Sequence, residues 1–408
     1  MIPMQRNLNR EKLHGLTYAV GNENILCEMP NVPVRPLFDD SVVEFLNCLS
    51  KKILADRASR RFPDVVTFAF WIRKGSLLEL KKTYGSTAEG CHSVGRGMIF
   101  HIAPSNVPVN YAYSLVTGLL GGNANVVKIP SKSFEQVTLI NRAIRECLEE
   151  NGQMRPYIVL VQYGHEKDIN DALSEYAGGR VIWGGDRTIG EIRKSPLQAR
   201  GVEITFADRY SLAVIDADKY LSECDKKKTA QDFYNDTYLT DQNACTSPRA
   251  VIWTGSRICE AKECFWSELY ALVKEKYELQ PVQAVNKLTS AFLLAAAREG
   301  VRKEPAQDNR IVRMHVETLD DTIMELKDNS GYFFEYDCEN IDELEAVCSN
   351  THCQTITYIG ESSMFDSLLA KGLQGVDRIV PMGQSMDFEF IWDGYQLLQQ
   401  LSRTIRVR

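Results

Sequence analysis

The sequence has no long hydrophobic run: across 408 residues, no window approaches ~18 uninterrupted apolar residues. Its first fifteen residues are polar and lack the apolar core of a signal peptide. Positive charge is not in excess either, because 47 Lys and Arg face 54 Asp and Glu, for a formal net charge of −7. These absences predict a cytoplasmic protein with no membrane span, and they argue against broad nucleic-acid binding.

The cysteines lack the spacings typical of a disulfide framework or a zinc site. Their number, 11, is odd, and no CxxC occurs. In a reducing cytosol most thiols are expected to stay reduced. The pairs Cys259/Cys264 and Cys348/Cys353 have no further Cys and His ligands in the pattern that structural zinc requires. We therefore expect no metal, and a catalytic cysteine must stand out by its local sequence.

Linkers and repeats are also missing, so the domain organisation has to be read from periodicity. The length predicts two or three domains, and the apolar fraction of 44% is ordinary for a globular protein. Residues 40–56 and 62–81 have apolar positions at helical spacing. We interpret residues 1–95 as a helical collar that packs against the domain that follows.

From residue 96 the pattern changes to short β-branched runs that alternate with helical stretches. The predicted strands are Gly97–Ile102, Asn125–Ile129, Tyr157–Tyr163, Arg180–Trp183 and Val202–Phe206, and the predicted helices between them are 107–120, 134–150, 166–177 and 186–194. This alternation predicts a parallel sheet covered on both faces, a nucleotide-binding architecture with ligands at the carboxyl ends of the strands.

A second α/β segment begins at residue 211. Its predicted strands are Leu212–Ile215, Ala250–Trp253, Tyr332–Tyr336 and Thr355–Ile359, and its predicted helices are 228–240, 260–277, a helix within 281–310 that leads into a polar connection, and 362–372. A last helix is predicted over 394–403. The sequence thus predicts an α/β protein with two sheets.

The first chemical motif is the segment His101-Ile-Ala-Pro-Ser-Asn106-Val-Pro108, where an apolar strand ends in a polar turn. A helix is predicted to begin near Pro108, since proline is favoured at a helix start. Asn106 would then lie at the carboxyl end of a parallel strand, where such sheets bind ligands. Its amide could donate to an oxyanion, or it could cap the helix, and position alone does not decide.

Two further turns have the composition of an anion site. After Asn125–Ile129 come Ser131, Lys132 and Ser133, and a helix follows, which suits phosphate but equally suits a solvated turn. After Trp183 comes a glycine turn, Gly184-Gly185-Asp186, that permits close backbone approach to a pyrophosphate. This turn is not GxGxxG, and alone it is a weak signal.

The fourth motif, Asp241-Gln-Asn-Ala-Cys245-Thr-Ser-Pro248, places a cysteine among small and polar residues just before a strand. Small neighbours allow a substrate to reach the sulfur. Nearby backbone N–H groups could stabilise a thiolate and a developing oxyanion. Cys245 is therefore the candidate nucleophile, against the alternative of a buried structural thiol.

These motifs, together with Gly375-Val-Asp-Arg-Ile-Val-Pro381 and Trp392-Asp-Gly394, occur in the order typical of one family. From about residue 96 to its end the chain resembles the LuxC-like acyl-CoA reductases, a branch of the aldehyde dehydrogenase superfamily. The resemblance implies an aldehyde dehydrogenase-like α/β fold. In that fold residues 1–210 form the collar and a Rossmann-like cofactor domain, to which 375–408 return, and 211–374 form a catalytic domain.

The resemblance also implies roles for individual residues. Cys245 matches the nucleophile, and Asn106 matches the amide that holds the oxyanion together with the Cys245 backbone N–H. Lys128 and Ser131, with Lys132 beside them, match the region that contacts the adenosine ribose. The turn formed by Gly184, Gly185 and Asp186 matches the one that passes near the cofactor phosphates.

Two departures from the superfamily pattern refine the predicted reaction. Hydrolytic aldehyde dehydrogenases carry a Glu that activates water, and Thr205 stands at that position, although Glu203 would point to the same face of its strand. Without the base, a thioester is exchanged with a thiol rather than hydrolysed. Ser131 stands where NAD-preferring relatives have a Glu, which favours NADPH over NADH. The exchange of one thioester for another is nearly balanced, so the reaction is expected to need no metal.

The predicted activity is therefore NADPH-dependent reduction of an acyl-CoA to an aldehyde through an acyl-cysteine intermediate. Three alternatives stay open: oxidation of an aldehyde to the free acid with Glu203 as base, reduction of an acyl group delivered by a partner acyl-protein synthetase or as an acyl phosphate, and a catalytically silent scaffold. Relatives associate through their sheets, which predicts a homo-oligomer.

Overall fold

The computed structural model describes residues 7–86, 88–320 and 325–407. It divides into two compact units: Met1–Ala207 together with Glu389–Arg408, and Asp208–Phe388. Within the described residues, no helix has both the length and the apolar character needed to cross a membrane. We describe each unit by itself.

The first unit is built on a six-stranded sheet. The sheet contains β1 (Thr17–Val20), β3 (Met98–Ile102), β4 (Ala124–Lys128), β5 (Ile158–Gln162), β6 (Gly179–Trp183) and β7 (Val202–Phe206). A further strand of this unit, β2 (Cys91–Gly95), lies outside it. The order across the sheet is β1-β5-β4-β3-β6-β7, with only the edge strand β1 antiparallel to its neighbour. β3, β6 and most of β4 and β5 are buried, as expected for parallel strands with helices on both faces.

The helices of this unit separate the strands. They are α1 (Glu23–Glu28), α2 (Asp40–Ala55), α3 (Pro63–Trp71), α4 (Lys74–Tyr84), α5 (Asn110–Leu120), α6 (Glu135–Glu150), α7 (Lys167–Tyr176) and α8 (Asp186–Ile192). The predicted helix over 40–56 is confirmed as α2. The predicted helix over 62–81 is wrong as a single element, because α3 ends at Trp71 and α4 begins at Lys74.

The direction of the chain reverses once within this sheet. The chain runs outward from β3 through β4 to β5, then crosses to β6 on the other side of β3 and continues to β7. In a doubly wound sheet, the crevice at such a switch point, beside the carboxyl ends of the strands, is where ligands bind. The parallel α/β architecture predicted for this half of the chain is thus confirmed.

The second unit contains a seven-stranded sheet in the order β10-β11-β12-β9-β8-β13-β14. Its strands are β8 (Tyr210–Asp216), β9 (Pro248–Thr254), β10 (Val301–Lys303), β11 (Val312–Val316), β12 (Tyr332–Asp337), β13 (Cys353–Ile359) and β14 (Arg378–Pro381). Its helices are α9 (Ala217–Glu223), α10 (Lys226–Thr237), α11 (Ile258–Lys276), α12 (Pro281–Ala297), α13 (Glu345–Ser349) and α14 (Asp366–Leu369). All pairings are parallel except β10 with β11.

Both faces of this second sheet are buried. Along β8, Leu212 and Val214 belong to one apolar cluster, while Ala213 and Ile215 belong to another. Because successive side chains of a strand point to opposite faces, the two clusters are two cores on either side of the sheet. The unit therefore has a complete hydrophobic interior of its own.

The last part of the chain differs most from the sequence prediction. After β15 (Ile391–Trp392) and β16 (Tyr395–Gln396), the short helix α15 (Leu397–Gln400) gives way to β17 (Ser402–Arg406). The predicted helix over 394–403 is therefore wrong, since β17 pairs antiparallel with β2. That pairing involves residues about 300 positions away in sequence, which local periodicity does not report.

The predicted boundaries also need correction. The return of the chain to the first unit was placed at residue 375, but β14 pairs parallel with β13 in the second sheet. The return therefore begins at Glu389, and the first boundary lies after Ala207 rather than 210. The polar connection predicted after the helix within 281–310 overlaps β10, and β11 at Val312–Val316 was missed.

Candidate active site

The carboxyl edge of the first sheet brings three of the candidate residues together. In the parallel register Ile102 of β3 lies opposite Lys128 of β4 on one side and Ile182 of β6 on the other. Asn106 and Gly184 follow β3 and β6 within a few residues. The three motifs therefore meet at the switch point between β3 and β6.

Asn106 lies in an exposed bend ahead of α5. The helix begins at Asn110, two residues after Pro108, and its N-cap residue is Val109, so the alternative role of Asn106 as the helix cap is wrong. The side chain of Asn106 is therefore not needed to complete the helix.

A buried polar network fixes the strands beneath this bend. His101 Nδ1 lies 2.7 Å from Ser114 Oγ, and its Nε2 lies 2.9 Å from Asn125 Oδ1. Trp183 Nε1 donates to the same Ser114 Oγ at 3.2 Å. Burial lowers the pKa of His101 to about 4, so the imidazole is neutral at physiological pH. The network links β3, β4, β6 and α5, and it positions the edge rather than taking part in chemistry.

Lys128 lies at the end of β4, with its ammonium held near the backbone. Its Nζ donates to the Gly164 carbonyl at 2.5 Å and lies 4.0 Å from the ring centroid of Tyr163. Burial lowers the pKa of Lys128, while the nearby carboxylate of Glu166 opposes this change. A cation at this strand end can bind a ribose or a phosphate. The negative charge of Glu166 favours the protonated form of Lys128.

Ser131 and Lys132 lie on an exposed turn between β4 and α6. The Lys132 Nζ lies 5.1 Å from the ring centroid of Phe134. No described residue of 129–134 is acidic. The turn can therefore accept an anionic group without like-charge repulsion from its own side chains.

The glycine turn after β6 has little room for side chains. A Cβ at Gly184 would lie 3.1 Å from a Thr188 methyl carbon, and the Gly184 N–H donates to the Phe206 carbonyl at 3.1 Å. Gly185 is the N-cap residue of α8. Asp186, exposed in the first turn, already supplies negative charge to this helix end, which weakens the case for a phosphate at the α8 terminus itself.

Glu203, the alternative base, accepts hydrogen bonds from two guanidinium groups. Its Oε2 accepts from Arg180 Nη2 at 2.6 Å and its Oε1 accepts from Arg193 Nε at 2.7 Å. Arg180 is 3% exposed, so the pair lies at the edge of the interior. Hydrogen bonds and charge from the two arginines outweigh burial and lower the pKa of Glu203. A carboxylate held this way is a poor acceptor for a proton from water.

The candidate nucleophile lies in the second unit, at the amino edge of its sheet. Cys245 is partly buried and precedes β9, and its carbonyl accepts a hydrogen bond from Ser211 Oγ at 2.7 Å. Asp241 and Gln242, just before it, have left-handed backbone conformations with φ of 51° and 60°. The segment therefore turns sharply before it reaches the cysteine.

The turn is held by one fully buried amide. Gln242 Nε2 donates to the carbonyls of Pro248 and Tyr332 at 2.8 and 3.1 Å, and its Oε1 accepts from the N–H groups of Gly331 and Tyr332 at 3.0 and 3.2 Å. Every hydrogen-bonding position of the side chain is thus used. Gln242 was not singled out from sequence, because its partners lie about 90 positions away.

Residues 327–331, which precede β12 and which we name the clasp, lie against the cysteine loop. Asn329 Nδ2 donates to Asn243 Oδ1 at 2.6 Å, and Ser330 N–H donates to the Asp241 carbonyl at 2.9 Å. Arg249 Nη1 donates to the Asp328 carbonyl at 2.8 Å. The clasp and Arg249 were both missed, since no local motif signals contacts made so far along the chain.

The described residues contain no group of three His, Cys, Asp or Glu side chains arranged to hold a metal ion. None of the eleven cysteines, all of which lie among the described residues, forms a disulfide. Asn106, Lys128, Ser131, Lys132, Gly184, Gly185 and Asp186 all belong to the first unit, and Cys245 belongs to the second.

Comparison with known proteins gives a family and a fold. The sequence model of the acyl-CoA reductase (LuxC) family matches residues 79–329. No protein with a curated description matches the sequence significantly.

Several solved structures resemble the chain over most of its length. One is lactaldehyde dehydrogenase from Escherichia coli, with a TM-score of 0.62 at 14% identity, covering 93% of this chain and 87% of that one. Another is 1-pyrroline-5-carboxylate dehydrogenase from Thermus with bound NAD, with a TM-score of 0.62 at 12% identity, covering 91% and 81%. A third is an NAD-dependent benzaldehyde dehydrogenase from Corynebacterium glutamicum, with a TM-score of 0.56 at 15% identity, covering 91% and 83%. At these identities the likeness shows an aldehyde dehydrogenase-like fold.

Proposed function

Because the chain belongs to the acyl-CoA reductase (LuxC) family, we propose that it reduces an acyl thioester to an aldehyde through an acyl intermediate on Cys245. The observation that carries this proposal is the loop 241–247, where a partly buried thiol follows a sharp turn fixed by a fully satisfied buried amide. The proposed substrate is an acyl-CoA, and the proposed reductant is NADPH.

The first half of the reaction is acyl transfer. The Cys245 thiolate attacks the thioester carbonyl, and a bond from Sγ to the acyl carbon forms as CoA leaves as a thiolate. The Asn106 amide and the Cys245 backbone N–H donate to the oxygen that becomes negative. One donor of this kind lowers the barrier by roughly 3–4 kcal/mol.

The second half is reduction of the acyl-cysteine. When bound, the reduced nicotinamide supplies a hydride to the acyl carbon, and a second oxyanion collapses to the aldehyde as the Cys245 thiolate leaves. The net reaction converts acyl-CoA, NADPH and a proton into aldehyde, NADP⁺ and CoA. Lys128, Ser131 and Lys132 are proposed to hold the adenosine ribose, and Gly184 with Gly185 to pass near the phosphates.

The choice of NADPH depends on the turn after β4. Its described residues include no acid, and Lys132 lies beside Ser131, which suits a ribose 2′-phosphate. The observation that favours NADH is Glu166, whose carboxylate acts on Lys128 and could accept from a 2′-hydroxyl. NADH is therefore the second candidate.

Release as an aldehyde requires that water does not take the acyl group. Glu203 is engaged by Arg180 and Arg193, which supports a site without a hydrolytic base. Oxidation of an aldehyde to a free acid is the alternative activity, and feeding aldehyde with NADP⁺ or NAD⁺ but no CoA measures it directly.

The test mixes purified protein with NADPH and acyl-CoAs of rising chain length, follows absorbance at the nicotinamide band, and measures intact mass. Wild type is expected to consume NADPH and to carry an acyl adduct on Cys245. Cys245→Ala is expected to lose both signals and to keep NADPH binding, while the control Cys259→Ala, an exposed thiol of the same unit, keeps all three.

Substantial aldehyde formation by Cys245→Ala would overturn the assignment of the nucleophile. An adduct without NADPH consumption would direct attention to NADH. Neither signal in wild type would mean that the acyl donor is not CoA, and an acyl group carried by a partner acyl-protein synthetase would be tried next.

A further inference from the structure

Two cysteines of the first unit face each other across a pair of packed helices. Cys48 lies on α2, and Cys147 lies on α6, 99 positions further along the chain. The Cys147 thiol donates to the Cys48 sulfur, and the two Sγ atoms are 3.1 Å apart. Because a disulfide bond is about 2.05 Å long, the two sulfurs need to approach by only about 1 Å to be joined.

The distance between the sulfurs argues against a shared metal ion. Two thiolates on a tetrahedral zinc ion, each with a Zn–S bond of about 2.3 Å, lie roughly 3.8 Å apart. The Cys48 thiol donates to Glu150 Oε2 at 3.4 Å, but the same carboxylate is paired with Lys52, whose Nζ donates to Glu150 Oε1 at 2.7 Å. The arrangement is therefore one of two thiols placed to react with each other.

The two thiols differ in their exposure to solvent and in their surroundings. Cys147 is fully buried, whereas Cys48 is partly exposed. Burial raises the pKa of Cys147, so this thiol stays protonated at neutral pH. Lys52 follows Cys48 by one helical turn on the same face of α2, and a nearby ammonium group favours a thiolate. Cys48 is therefore the sulfur that meets an oxidant first.

Small molecules can approach this helix pair beside the thiols. A cavity of about 380 Å³ is lined by residues of α2, of α6 and of the segment that follows α2. Lys52, one turn from Cys48, and Glu146, which precedes Cys147, both line this cavity. A small oxidant and a small thiol reductant therefore have a route to the surface next to the two sulfurs.

We propose that Cys48 and Cys147 form a redox site at which hydrogen peroxide converts the two thiols into a reversible disulfide that ties α2 to α6. The Cys48 thiolate attacks one peroxide oxygen, so that an S–O bond forms, the O–O bond breaks, and the departing hydroxide takes up the proton that the thiol lost. The Cys147 sulfur then attacks the Cys48 sulfur, the S–S bond forms, and the S–O bond breaks as hydroxide leaves with the Cys147 proton as water. Two thiols and one peroxide thus give one disulfide and two waters. The site goes beyond the proposed function and does not depend on the role of Cys245.

The experiment treats the full chain with hydrogen peroxide, alkylates the remaining thiols with N-ethylmaleimide, and digests the protein with trypsin without reduction. Cys48 is released in the peptide 13–51, and Cys147 is released in the peptide 146–167. The expected product is these two peptides joined, with a mass lower than their sum by two hydrogen atoms. Dithiothreitol added before alkylation should abolish this product and return both thiols to alkylation.

Serine variants assign the role of each sulfur. In Cys147→Ser the second thiol is missing, so oxidation of Cys48 should stop at the sulfenic acid, which dimedone traps on the peptide 13–51. Cys48→Ser should give neither the joined peptides nor a dimedone adduct on the peptide 146–167. Cys27→Ser removes the other cysteine of the peptide 13–51 and is the control, which should keep the link.

Melting temperatures test whether the bond ties the helices together. Oxidised wild type should melt roughly 5 °C or more above the reduced protein, because the bond closes a loop of about 100 residues in the unfolded chain. Cys48→Ser under the same treatment should show no such gain. Alkylation of both thiols after peroxide, a link from the peptide 146–167 to any other cysteine, or an oxidised wild type that melts no higher than the reduced protein would overturn the inference.

Discussion

Glu203 and Ser131 show how single side chains bear on the chemistry of the first unit. By the resemblance described above, Ser131 stands at one position where superfamily members carry a functional glutamate, and Glu203 lies two residues from another. The surroundings of the two side chains differ. Glu203 is held by two arginines, whereas Ser131 is exposed on a turn without acids. The Glu203 carboxylate is thus present but paired with two arginines, whereas Ser131 provides no carboxylate at all.

The first prediction concerns Glu203→Gln. The neutral amide no longer compensates Arg180, which is 3% exposed, so we expect a loss of roughly 2 kcal/mol of unfolding free energy at pH 7, measured in urea. Reduction of acyl-CoA per folded molecule should be unchanged. The control Glu191→Gln, at an exposed pair with Lys194, should change the stability much less, because solvent screens that pair.

The pH dependence of this difference follows from the direction of the shift. The arginines lower the pKa of Glu203 in the folded protein below its ordinary value of 4.5. The stabilisation is therefore present above that value and is lost as pH falls through the folded pKa. The gap between wild type and Glu203→Gln should shrink in acid, and a gap independent of pH, or a large loss of reduction, would contradict the structural role.

The second prediction concerns Ser131→Glu. A carboxylate on this turn would repel a ribose 2′-phosphate and could accept a hydrogen bond from a 2′-hydroxyl, so we expect the NADPH/NADH ratio of kcat/KM to fall about tenfold. Ser133→Glu, which adds the same charge two positions further along the turn, should change the ratio less. Equal ratios in wild type and Ser131→Glu would remove Ser131 from the proposed ribose site.

At the scale of elements, the sequence predicts the strands and helices whose buried residues recur at a regular spacing along the chain. β3 to β7 were located within a residue or two, because short runs rich in β-branched and other apolar residues alternate with helical stretches, and most residues of β3 to β6 are buried. β17 was not predicted, and its first two residues were assigned to the helix over 394–403, because its partner β2 is about 300 residues away and it leaves most of its side chains exposed.

The candidate site divides in the same way. The turns after β3, β4 and β6 could be found because strand ends are visible in the sequence and parallel strands share an edge. The cysteine could be found from its small neighbours. The clasp could not, because its contacts join residues 241–249 to residues 327–332 through backbone groups and buried amides that leave no periodic signal. Positive φ at Asp241 and Gln242 was equally invisible, since neither is a glycine.

At the scale of the molecule, the chain builds one unit from a single stretch and the other from two. Residues 208–388 are continuous and surround their sheet with two cores. The first unit instead depends on the last residues of the chain. Asn123 Nδ2 donates to the Leu401 carbonyl at 2.8 Å, Arg96 Nε donates to the Gln400 carbonyl at 2.6 Å, and β17 completes β2.

This difference predicts how fragments behave. The fragment 208–388 should fold alone and unfold cooperatively on heating, because each face of its sheet is already covered. The fragment 1–207 should be markedly less stable, because β2 loses its partner strand and the Asn123 and Arg96 side chains lose backbone acceptors. The buried bond of Asn123 alone contributes about 1 kcal/mol. Circular dichroism melts of both fragments against the full chain measure this. If 208–388 were unfolded alone, or if 1–207 melted like the full chain, the dependence would run the other way, and the chain's return at Glu389 would be a connection rather than a structural part of the first unit.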